Sequence, residues 1–378
     1  GFSGDGFVCE DIDECESARC PDFMNCTNTI GGFNCDVCSF GFAVDGVNCE
    51  VPCPDDCNCT RELLSSLSLG EFINHTDTMV EVVRCLIGDY IRPVPSTTEY
   101  LIGIGVEQAE NQRLPNVTLA SRLLAFSSDA QGLFGVNFEQ HPNLQALDFE
   151  NSGLETLAIS QFRFSLPSLR YFNAGGSFIQ DINAGFFQAR MPNVETIILQ
   201  SLQVDGGAVD LGGGNFANLT QLRSIDFSFT TLPAVQAGFF QGSTQLRTLI
   251  FLGGSNGDSD VFGRLLPSGL FAGLVNLESL NMANLDILSL PSDIFLGLSS
   301  LLTLDLSMNS FVLNNSEFSS AGLSSLTTLS LSNLATSLDF SALSFSNLPA
   351  LTQLDLTQVT INAYNSATFS AAPSLVTL

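Results

Sequence analysis

The sequence contains no lysine and no tryptophan, and all twelve of its cationic residues are arginine. They face 39 Asp and Glu residues, so the formal net charge is −27. A field of that sign repels the phosphates of nucleic acids and anionic lipids, and therefore argues against nucleic-acid binding and favours divalent cations or basic partners. Only two histidines occur, which argues against histidine-based catalysis and against a metal site with several histidine ligands.

Long apolar runs are also missing. The uninterrupted apolar stretches are a few residues long, whereas a membrane helix needs roughly 20, so no membrane segment is expected in this stretch of chain. The hydrophobic fraction of 45% with 13% charged residues excludes an intrinsically disordered chain. The first residue is Gly1 and no signal peptide precedes it, so we expect a window from a longer protein.

Catalytic signatures are likewise absent from the sequence. It holds no GxSxG, HExxH or P-loop pattern, and Gly103-Ile104-Gly105 lacks the third glycine of a dinucleotide loop. A glycosidase with a pair of catalytic acids stays an open alternative, but nothing in the sequence distinguishes one such pair. A binding or assembly protein is therefore expected rather than an enzyme.

All eleven cysteines fall within the first 85 residues, and the other 293 residues have none. Small cysteine-rich modules are held together by disulfides, which persist in oxidising compartments, so an extracellular location is expected. Zinc is the alternative for Cys35-x-x-Cys38, but no second CxxC or paired histidines follow it.

The first complete group of cysteines resembles an epidermal-growth-factor-like (EGF-like) module, through Cys15, Cys20, Cys26, Cys35, Cys38 and Cys49. The resemblance implies the disulfides Cys15–Cys26, Cys20–Cys35 and Cys38–Cys49. Two residues separate Cys35 from Cys38 where the family usually has one. Ahead of this module, Gly1–Cys9 resembles the tail of another EGF-like unit, in which Cys9 has an upstream partner; a free thiol at Cys9 is the alternative.

The acidic stretch before the first of these cysteines resembles the calcium-binding subclass of EGF-like modules. Asp11, Glu14 and Asn28 offer the hard oxygen ligands that Ca²⁺ prefers, and the disulfides would bring them together. The resemblance adds the backbone carbonyls of Ile12, Thr29 and Gly32, and implies that the ion stiffens the joint with the preceding module. An acidic linker without an ion is the alternative.

The remaining four cysteines resemble the N-terminal cap of extracellular leucine-rich-repeat proteins. They are Cys53, Cys57, Cys59 and Cys85, and the resemblance implies the pairs Cys53–Cys59 and Cys57–Cys85. The long gap before Cys85 implies an inserted loop around Leu63–Val80. Asn74, Asn116, Asn218 and Asn314 head sequons for N-linked glycans, which an extracellular chain could carry.

Beyond the cap, an LxxLxL pattern recurs about every 25 residues, with starts at Leu144, Leu169, Val194, Leu222, Leu246, Leu277, Leu301, Leu326, Leu351 and Leu375. The alternation predicts short strands with one face inward, and stacked units would share one core. A phenylalanine usually precedes each start, at Phe138, Phe162, Phe187, Phe216, Phe239, Phe271, Phe295, Phe345 and Phe369. The pattern resembles leucine-rich repeats and implies an α/β-type solenoid of short parallel strands with irregular or short-helix returns.

Departures from that family pattern concern the asparagine eight residues after each start. It stands in place only at Asn309, while Ser152, Ser177 and Thr230 replace it in other repeats and Asn284 and Asn333 sit one residue early. We therefore predict an incomplete asparagine ladder, with hydroxyls or water satisfying the remaining turn amides.

The resulting division of the chain is an EGF-like remnant (1–10), a calcium-binding EGF-like module (11–50), a cysteine-bearing cap (51–100) and a solenoid of about ten repeats, cut off at its end (101–378). The strand positions that point outward are small and polar with interspersed acids, and Tyr171 is the aromatic contact candidate among them. Two functions compete: an adhesion or receptor ectodomain that binds a protein partner, and a self-assembling subunit of an extracellular filament, matrix or surface appendage.

Overall fold

The computed structural model describes residues 2–4, 9–16, 24–38, 43–45, 48–50, 57–63, 79–86, 100–104, 123–127, 144–151, 154–159, 162, 165–202, 209, 211, 214–232, 235–253, 266–313, 318, 322–339, 348–363, 372 and 374–377. Several residues with a sequence-based prediction lie outside the described residues, among them Phe138, Ser152, Phe345 and Phe369.

The N-terminal part contains short antiparallel pairs and the first strands of a large sheet. Its strands are β1 (Phe2–Gly4), β2 (Cys9–Asp11), β3 (Met24–Thr29), β4 (Gly32–Cys38), β5 (Ala43–Asp45), β6 (Asn48–Glu50), β7 (Cys57–Leu63), β8 (Met79–Leu86), β9 (Tyr100–Ile104) and β10 (Leu123–Ser127), with a 3-10 helix at Glu14–Glu16. Strands β1 and β2, β3 and β4, and β5 and β6 form three separate hairpin-like pairs.

The repeats supply the remaining elements. They are β11 (Ala146–Asp148), β12 (Thr156–Leu157), β13 (Tyr171–Asn173), β14 (Asp181–Ile182), α1 (Phe186–Arg190), β15 (Thr196–Ile198), β16 (Ser224–Asp226), β17 (Thr248–Ile250), β18 (Ser279–Asn281), β19 (Thr303–Asp305), β20 (Thr328–Ser330), β21 (Leu338–Asp339), β22 (Gln353–Asp355) and β23 (Ile361–Ala363). In the described residues the returns are mostly turns, and no helix there is long and apolar enough to span a bilayer.

One 13-stranded sheet runs through the chain from β7 to β22 in sequence order, without β12, β14 and β21. All neighbours in it are parallel except β7 and β8. Every strand of this sheet from β11 onward begins two residues after an LxxLxL start, and Thr377 bridges Gln353 at the last start. The fold class predicted for the repeats, a solenoid of short parallel strands, is confirmed.

The core lies behind this sheet as one continuous apolar cluster. The central residue of each three-residue strand is buried, from Leu147 on β11 to Leu354 on β22. Phenylalanines of the returns pack edge-on or tilted against their neighbours, as Phe216 does with Phe187 of the preceding return and with Phe227 directly after β16. One expected position is shifted, since Phe240 is fully buried where Phe239 was predicted and Phe239 is only partly buried.

The turns that follow the strands are tied to the next repeat by buried polar side chains. Asn309 accepts hydrogen bonds at Oδ1 from the amides of Leu285 and Ile287, and its Nδ2 donates to the carbonyls of Met282 and Leu306. Met282, Leu285 and Ile287 belong to the preceding repeat, and Leu306 belongs to the repeat of Asn309 itself. A single side chain therefore satisfies several backbone groups that would otherwise be buried without partners.

In two other repeats a hydroxyl group satisfies buried backbone groups of the preceding repeat, as predicted. Ser177 Oγ donates to the Phe149 carbonyl, while Thr230 Oγ1 donates to the Leu199 carbonyl and accepts from the Leu202 amide. The displaced Asn284 and Asn333 both adopt a left-handed conformation, with φ of 56° and 54°, and Asn284 also donates from Nδ2 to the Gly253 carbonyl of the preceding repeat. Asparagine is one of the few side chains that tolerates that region.

We expect Asn309→Ala to lower the free energy of unfolding by about 2–4 kcal/mol, because two buried amides lose their acceptor and two carbonyls lose a donor. Asn276→Ala is the control, since Asn276 makes one exposed hydrogen bond, to the Thr244 carbonyl. Denaturant unfolding of the two variants would measure the difference. Equal losses would show that Asn309 is not a structural coupling between repeats.

Candidate functional site

The candidate site is the sheet face that points away from the core, called here the open face. It consists of the first and third residue of each strand from β11 to β22 and the second residue after the strand. At one end this face is closed, because Ala146, Tyr171, Asn173 and Thr196 on β11, β13 and β15 are buried. From β16 to β22 the first strand residues are half-buried or exposed, and Thr303 and Gln353 are exposed.

Tyr171 does not provide the aromatic contact that the sequence suggested. Its side chain is 4% exposed, and burial raises the pKa of its phenol. The expectation of an accessible tyrosine was wrong, because the open face is occluded at β13. The accessible part of the candidate site is therefore the stretch from β16 to β22.

Aspartate and asparagine recur at the last residue of the strands and have a structural role there. In six repeats the side-chain Oδ1 accepts a hydrogen bond of 2.8–3.0 Å from the backbone amide two residues later; the residues are Asp148, Asn173, Asp226, Asn281, Asp305 and Asp355. This local bond is the Asx-turn, which ends the strand. One carboxylate oxygen of each aspartate is thus occupied by its own turn.

At the opposite edge of the sheet, a ladder of ion pairs joins the residues that directly precede β13, β15, β16, β17 and β18. Glu195 lies between Arg170 and Arg223, at 3.3 and 3.2 Å from their Nε atoms, and Glu278 pairs with Arg247. These side chains are about 34–47% exposed, so each pair contributes little stability. Each of the three arginines has a glutamate partner, and two of them share Glu195.

The open face from β16 to β22 is consequently acidic. It carries Asp226, Asp305 and Asp355, and none of its described residues is a cation. The other side chains are mainly Ser, Thr, Asn and Gln, with apolar exceptions at Ile250 and Leu252, which are half-buried, and at Ala283, which is buried. Such a surface fits a cationic ligand better than an anionic one.

The turn after each strand brings one residue per repeat into the left-handed region. These residues are Asn151, Gly176, Ser201, Phe229, Asn284, Met308, Asn333 and Gln358, with φ between 52° and 68°. Phe229 and Met308 differ from the others because they are large, apolar and about half exposed, at 53% and 52%. Nothing in the sequence pattern distinguishes these two positions before the backbone conformation is known.

In the region of the expected calcium ligands, the structure joins Cys15 to Cys26 by a disulfide, which is the first of the five implied pairs. Asp11 Oδ1 accepts from the Gly31 amide at 2.6 Å, and its Oδ2 accepts from Asn28 Nδ2 at 3.0 Å. The structure therefore brings Asp11 and Asn28 together across the turn between β3 and β4.

The other expected ligands lie on the same short elements. Glu14 begins the 3-10 helix that the disulfide attaches to β3, and both of its carboxylate oxygens are removed from solvent. Thr29 and Gly32 face each other at the end of the β3–β4 pair, and Ile12 directly follows β2. Among the described residues, no group of three or more His, Cys, Asp and Glu side chains is placed to hold a metal. An ion here would depend on amide and backbone oxygens as well as two carboxylates.

The remaining predicted sites are described in part. In the β7–β8 pair the backbone of Cys57 lies directly opposite that of Cys85, which are the residues of one implied cap disulfide. Asn218 is exposed in a left-handed turn on the return side, away from the open face. Asn74, Asn116 and Asn314, Cys20 and Cys53 lie outside the described residues, and the disulfides other than Cys15–Cys26 stay predictions.

Comparison with known proteins agrees with the repeat geometry. Six copies of the BspA type leucine-rich-repeat region match residues 134–262 and 264–378, which is well over half of the chain. The chain belongs to this leucine-rich-repeat family. The matched region contains β11 and every later strand of the large sheet, and therefore the whole accessible open face.

Individual relatives of this leucine-rich-repeat chain are more distant. Toll-like receptor 4 of Bos taurus is 29% identical over 210 residues, which are 51% of this chain and 24% of that protein. Uromodulin of Mus musculus is 41% identical over 68 residues, 18% of this chain and 10% of that protein. The chain thus spans about a quarter or less of these curated relatives.

Among solved structures, the Toll–Spatzle complex of Drosophila superimposes with a TM-score of 0.48 at 18% identity. The superposition covers 75% of this chain and 44% of that chain. At that score the likeness adds nothing on function.

One acid of the leucine-rich-repeat sheet titrates abnormally. Asp148 lies at the closed end of the open face, where burial raises its pKa from 3.8 to about 6 against the opposing hydrogen bond from the Glu150 amide. The folded chain therefore holds this proton more tightly than the unfolded chain. As a result, the contribution of Asp148 to stability falls as the pH rises from about 4 through about 6.

We expect Asp148→Asn to raise the free energy of unfolding by about 1–2 kcal/mol at pH 7.5 and to leave it nearly unchanged at pH 4, because Asn can keep the turn bond as Asn173 does. Denaturant unfolding at both pH values measures the effect. Asp355→Asn is the contrasting control: hydrogen bonds from Thr357 lower the pKa of Asp355, so that variant should lose stability at pH 7.5. A gain for Asp148→Asn at pH 4 as large as at pH 7.5 would contradict the assignment.

Proposed function

We propose that this chain is the partner-binding part of an extracellular or cell-surface protein, and that its open face from β16 to β22 contacts another protein. The observation that carries the proposal is the division of the repeats into a continuous apolar core and a separate, mainly polar sheet face. That face is made of short side chains on rigid strands, and it is not needed to bury the core. Repeat solenoids commonly use such extended faces for binding.

The extracellular location is supported by the disulfide chemistry. Cys15 and Cys26 are joined in the structure, and the other nine cysteines share the same N-terminal stretch. Disulfides of this kind persist in oxidising compartments. The kinship with Toll-like receptor 4 and uromodulin supports an ectodomain role, although each alignment covers only a fraction of those proteins.

We further propose that the N-terminal module is a calcium-binding EGF-like module that orients the solenoid. Asp11, Asn28 and the buried carboxylate of Glu14 are held on elements that the Cys15–Cys26 disulfide links. Phe2 of the preceding segment lies against Gly31, whose φ of 84° and lack of Cβ admit the ring. An ion bound beside Asp11 would stiffen this contact and hence the joint.

The calcium proposal predicts that Asp11→Asn and Glu14→Gln each weaken Ca²⁺ binding at least tenfold, because each removes a negative charge from a site with two carboxylates. Isothermal titration with CaCl₂ measures the affinity, and protease digestion near residues 2–11 with and without Ca²⁺ measures the stiffness of the joint. Asp45→Asn, in β5 outside the expected ligand set, is the control. Unchanged titrations in both ligand variants would overturn the calcium site.

The binding function is tested by blocking the open face without touching the core. Thr303 is exposed at the first position of β19, so Thr303→Arg should abolish retention of partner protein from the extracellular fraction of the source. Leu296→Arg, exposed on the return side, is the matched control and should retain the partner. Retention is measured with the immobilised chain, followed by identification of the bound protein.

Two outcomes would contradict this function. Equal retention by both variants would place the contact elsewhere. Ordered polymers of the purified chain in the electron microscope, lost on Thr303→Arg, would favour the alternative of a self-assembling filament subunit.

A further inference from the structure

We propose that the open face is anchored on Phe229 and Asp226 and takes a polypeptide segment in which an apolar residue neighbours Lys or Arg. This inference rests on the proposed function, since it names the chemistry of the partner and the place where it is held. It is carried by a strained aromatic, its apolar neighbours and the charge of the surrounding face.

The first argument is the conformation of Phe229. It is the turn residue after β16 and adopts φ of 58°, a region that bulky L-residues rarely occupy. Equivalent turns carry Asn at Asn151, Asn284 and Asn333, where the left-handed backbone is easily accommodated. The phenylalanine is 53% exposed, so its ring does not offset the strain by entering the core. Met308 shares this conformation and exposure, so the strain selects two positions for a role outside folding and the surroundings of each decide between them.

The second argument is the surroundings of that ring. The Phe229 amide donates to the Leu252 carbonyl at 2.6 Å, which brings the turn against the end of β17. Leu252 and Ile250 are both half-buried on the open face. The strand register places Asp226 directly between Ile198 on β15 and Ile250 on β17. Asp226 is therefore flanked by two apolar residues on an otherwise hydroxyl-rich face, and the turn that carries Phe229 follows it three residues later. Exposed aromatic residues of this type are enriched at protein interfaces.

The third argument is charge. Asp226 uses Oδ1 to accept from the Ser228 amide, so its second oxygen takes no part in this turn bond. Asp305 and Asp355 repeat this carboxylate along the same face, which has no cation among its described residues. At the strand edge, Arg223 shares Glu195 with Arg170, and Arg247 pairs with Glu278. A segment with a cation beside an apolar residue matches both the apolar and the acidic features. A second copy of this chain fits less well, because two chains that each carry a net charge of −27 repel one another.

The test uses the whole chain and three synthetic ten-residue probes: alternating Leu–Lys, alternating Ser–Lys and alternating Leu–Glu. Fluorescence anisotropy at two salt concentrations should show binding of the Leu–Lys peptide, at least tenfold weaker binding of the Ser–Lys peptide, and none of the Leu–Glu peptide. Phe229→Asn should weaken Leu–Lys binding at least tenfold, while its thermal midpoint stays equal or rises as strain is relieved. Asp226→Asn, which keeps the turn acceptor as Asn281 does, should weaken binding and reduce its salt dependence.

Met308→Asn is the matched control. Met308 occupies the same left-handed turn position after β19 and is equally exposed, but the neighbouring open-face residues Ser307 and Ser332 are polar. This variant should bind the Leu–Lys peptide within twofold of the unaltered chain.

Several results would overturn the inference: no binding of the Leu–Lys peptide, equal binding of the Ser–Lys peptide, or full affinity in Phe229→Asn. An equal loss in Met308→Asn would also overturn it, because the contact would then be unspecific. A natural partner lost with Thr303→Arg but kept by Phe229→Asn and Asp226→Asn would leave the proposed function standing while removing this anchor.

Discussion

The structure depends on the burial that each repeat obtains from its neighbours. A strand of three residues has one inward side chain, and that side chain is covered only when another strand lies on each side of it. The same dependence holds for the polar groups. Asn309, Ser177 and Thr230 each bond to backbone groups of the repeat before their own. Apolar packing and buried hydrogen bonds therefore both join each repeat to its neighbour.

This arrangement separates the acids of the sheet into two roles. The formal charge of −27 suggested a uniformly acidic surface, but six Asp and Asn residues use one oxygen to close their own turn. Two glutamates are held by three arginines at the opposite edge. On the open face from β16 to β22, what is left to attract a ligand is the second oxygen of Asp226, Asp305 and Asp355. The charge that this site offers to a ligand is thus much smaller than the net charge of the chain.

The strand positions could be predicted from the sequence because they depend on a local alternation that repeats. Leu301-Leu302-Thr303-Leu304 contains the start, the inward residue and the outward residue of β19 within four positions. The burial of Tyr171 could not be predicted, because it depends on what occludes the face at β13 rather than on neighbours in sequence. Asn284 and Asn333 were predicted as displaced ladder residues. Asn284 does bond to the preceding repeat, but the left-handed backbone of both residues could not be predicted from the pattern. The left-handed turn residues could not be predicted from the sequence either, because Asn, Ser, Gln, Phe and Met share no side-chain property that a pattern would detect.

The position of Phe229 follows from the way a solenoid distributes its constraints. Inward strand residues contact two neighbouring repeats, so an unfavourable choice there disturbs three units at once. The turn residue after the strand faces solvent, and its side chain is not required by the next repeat, as the range from Asn151 to Met308 demonstrates. Strain at this position costs about 1 kcal/mol and stays within one unit. A binding residue that does not help folding is therefore tolerated best at the rim of the open face, where the repeats depend on it least.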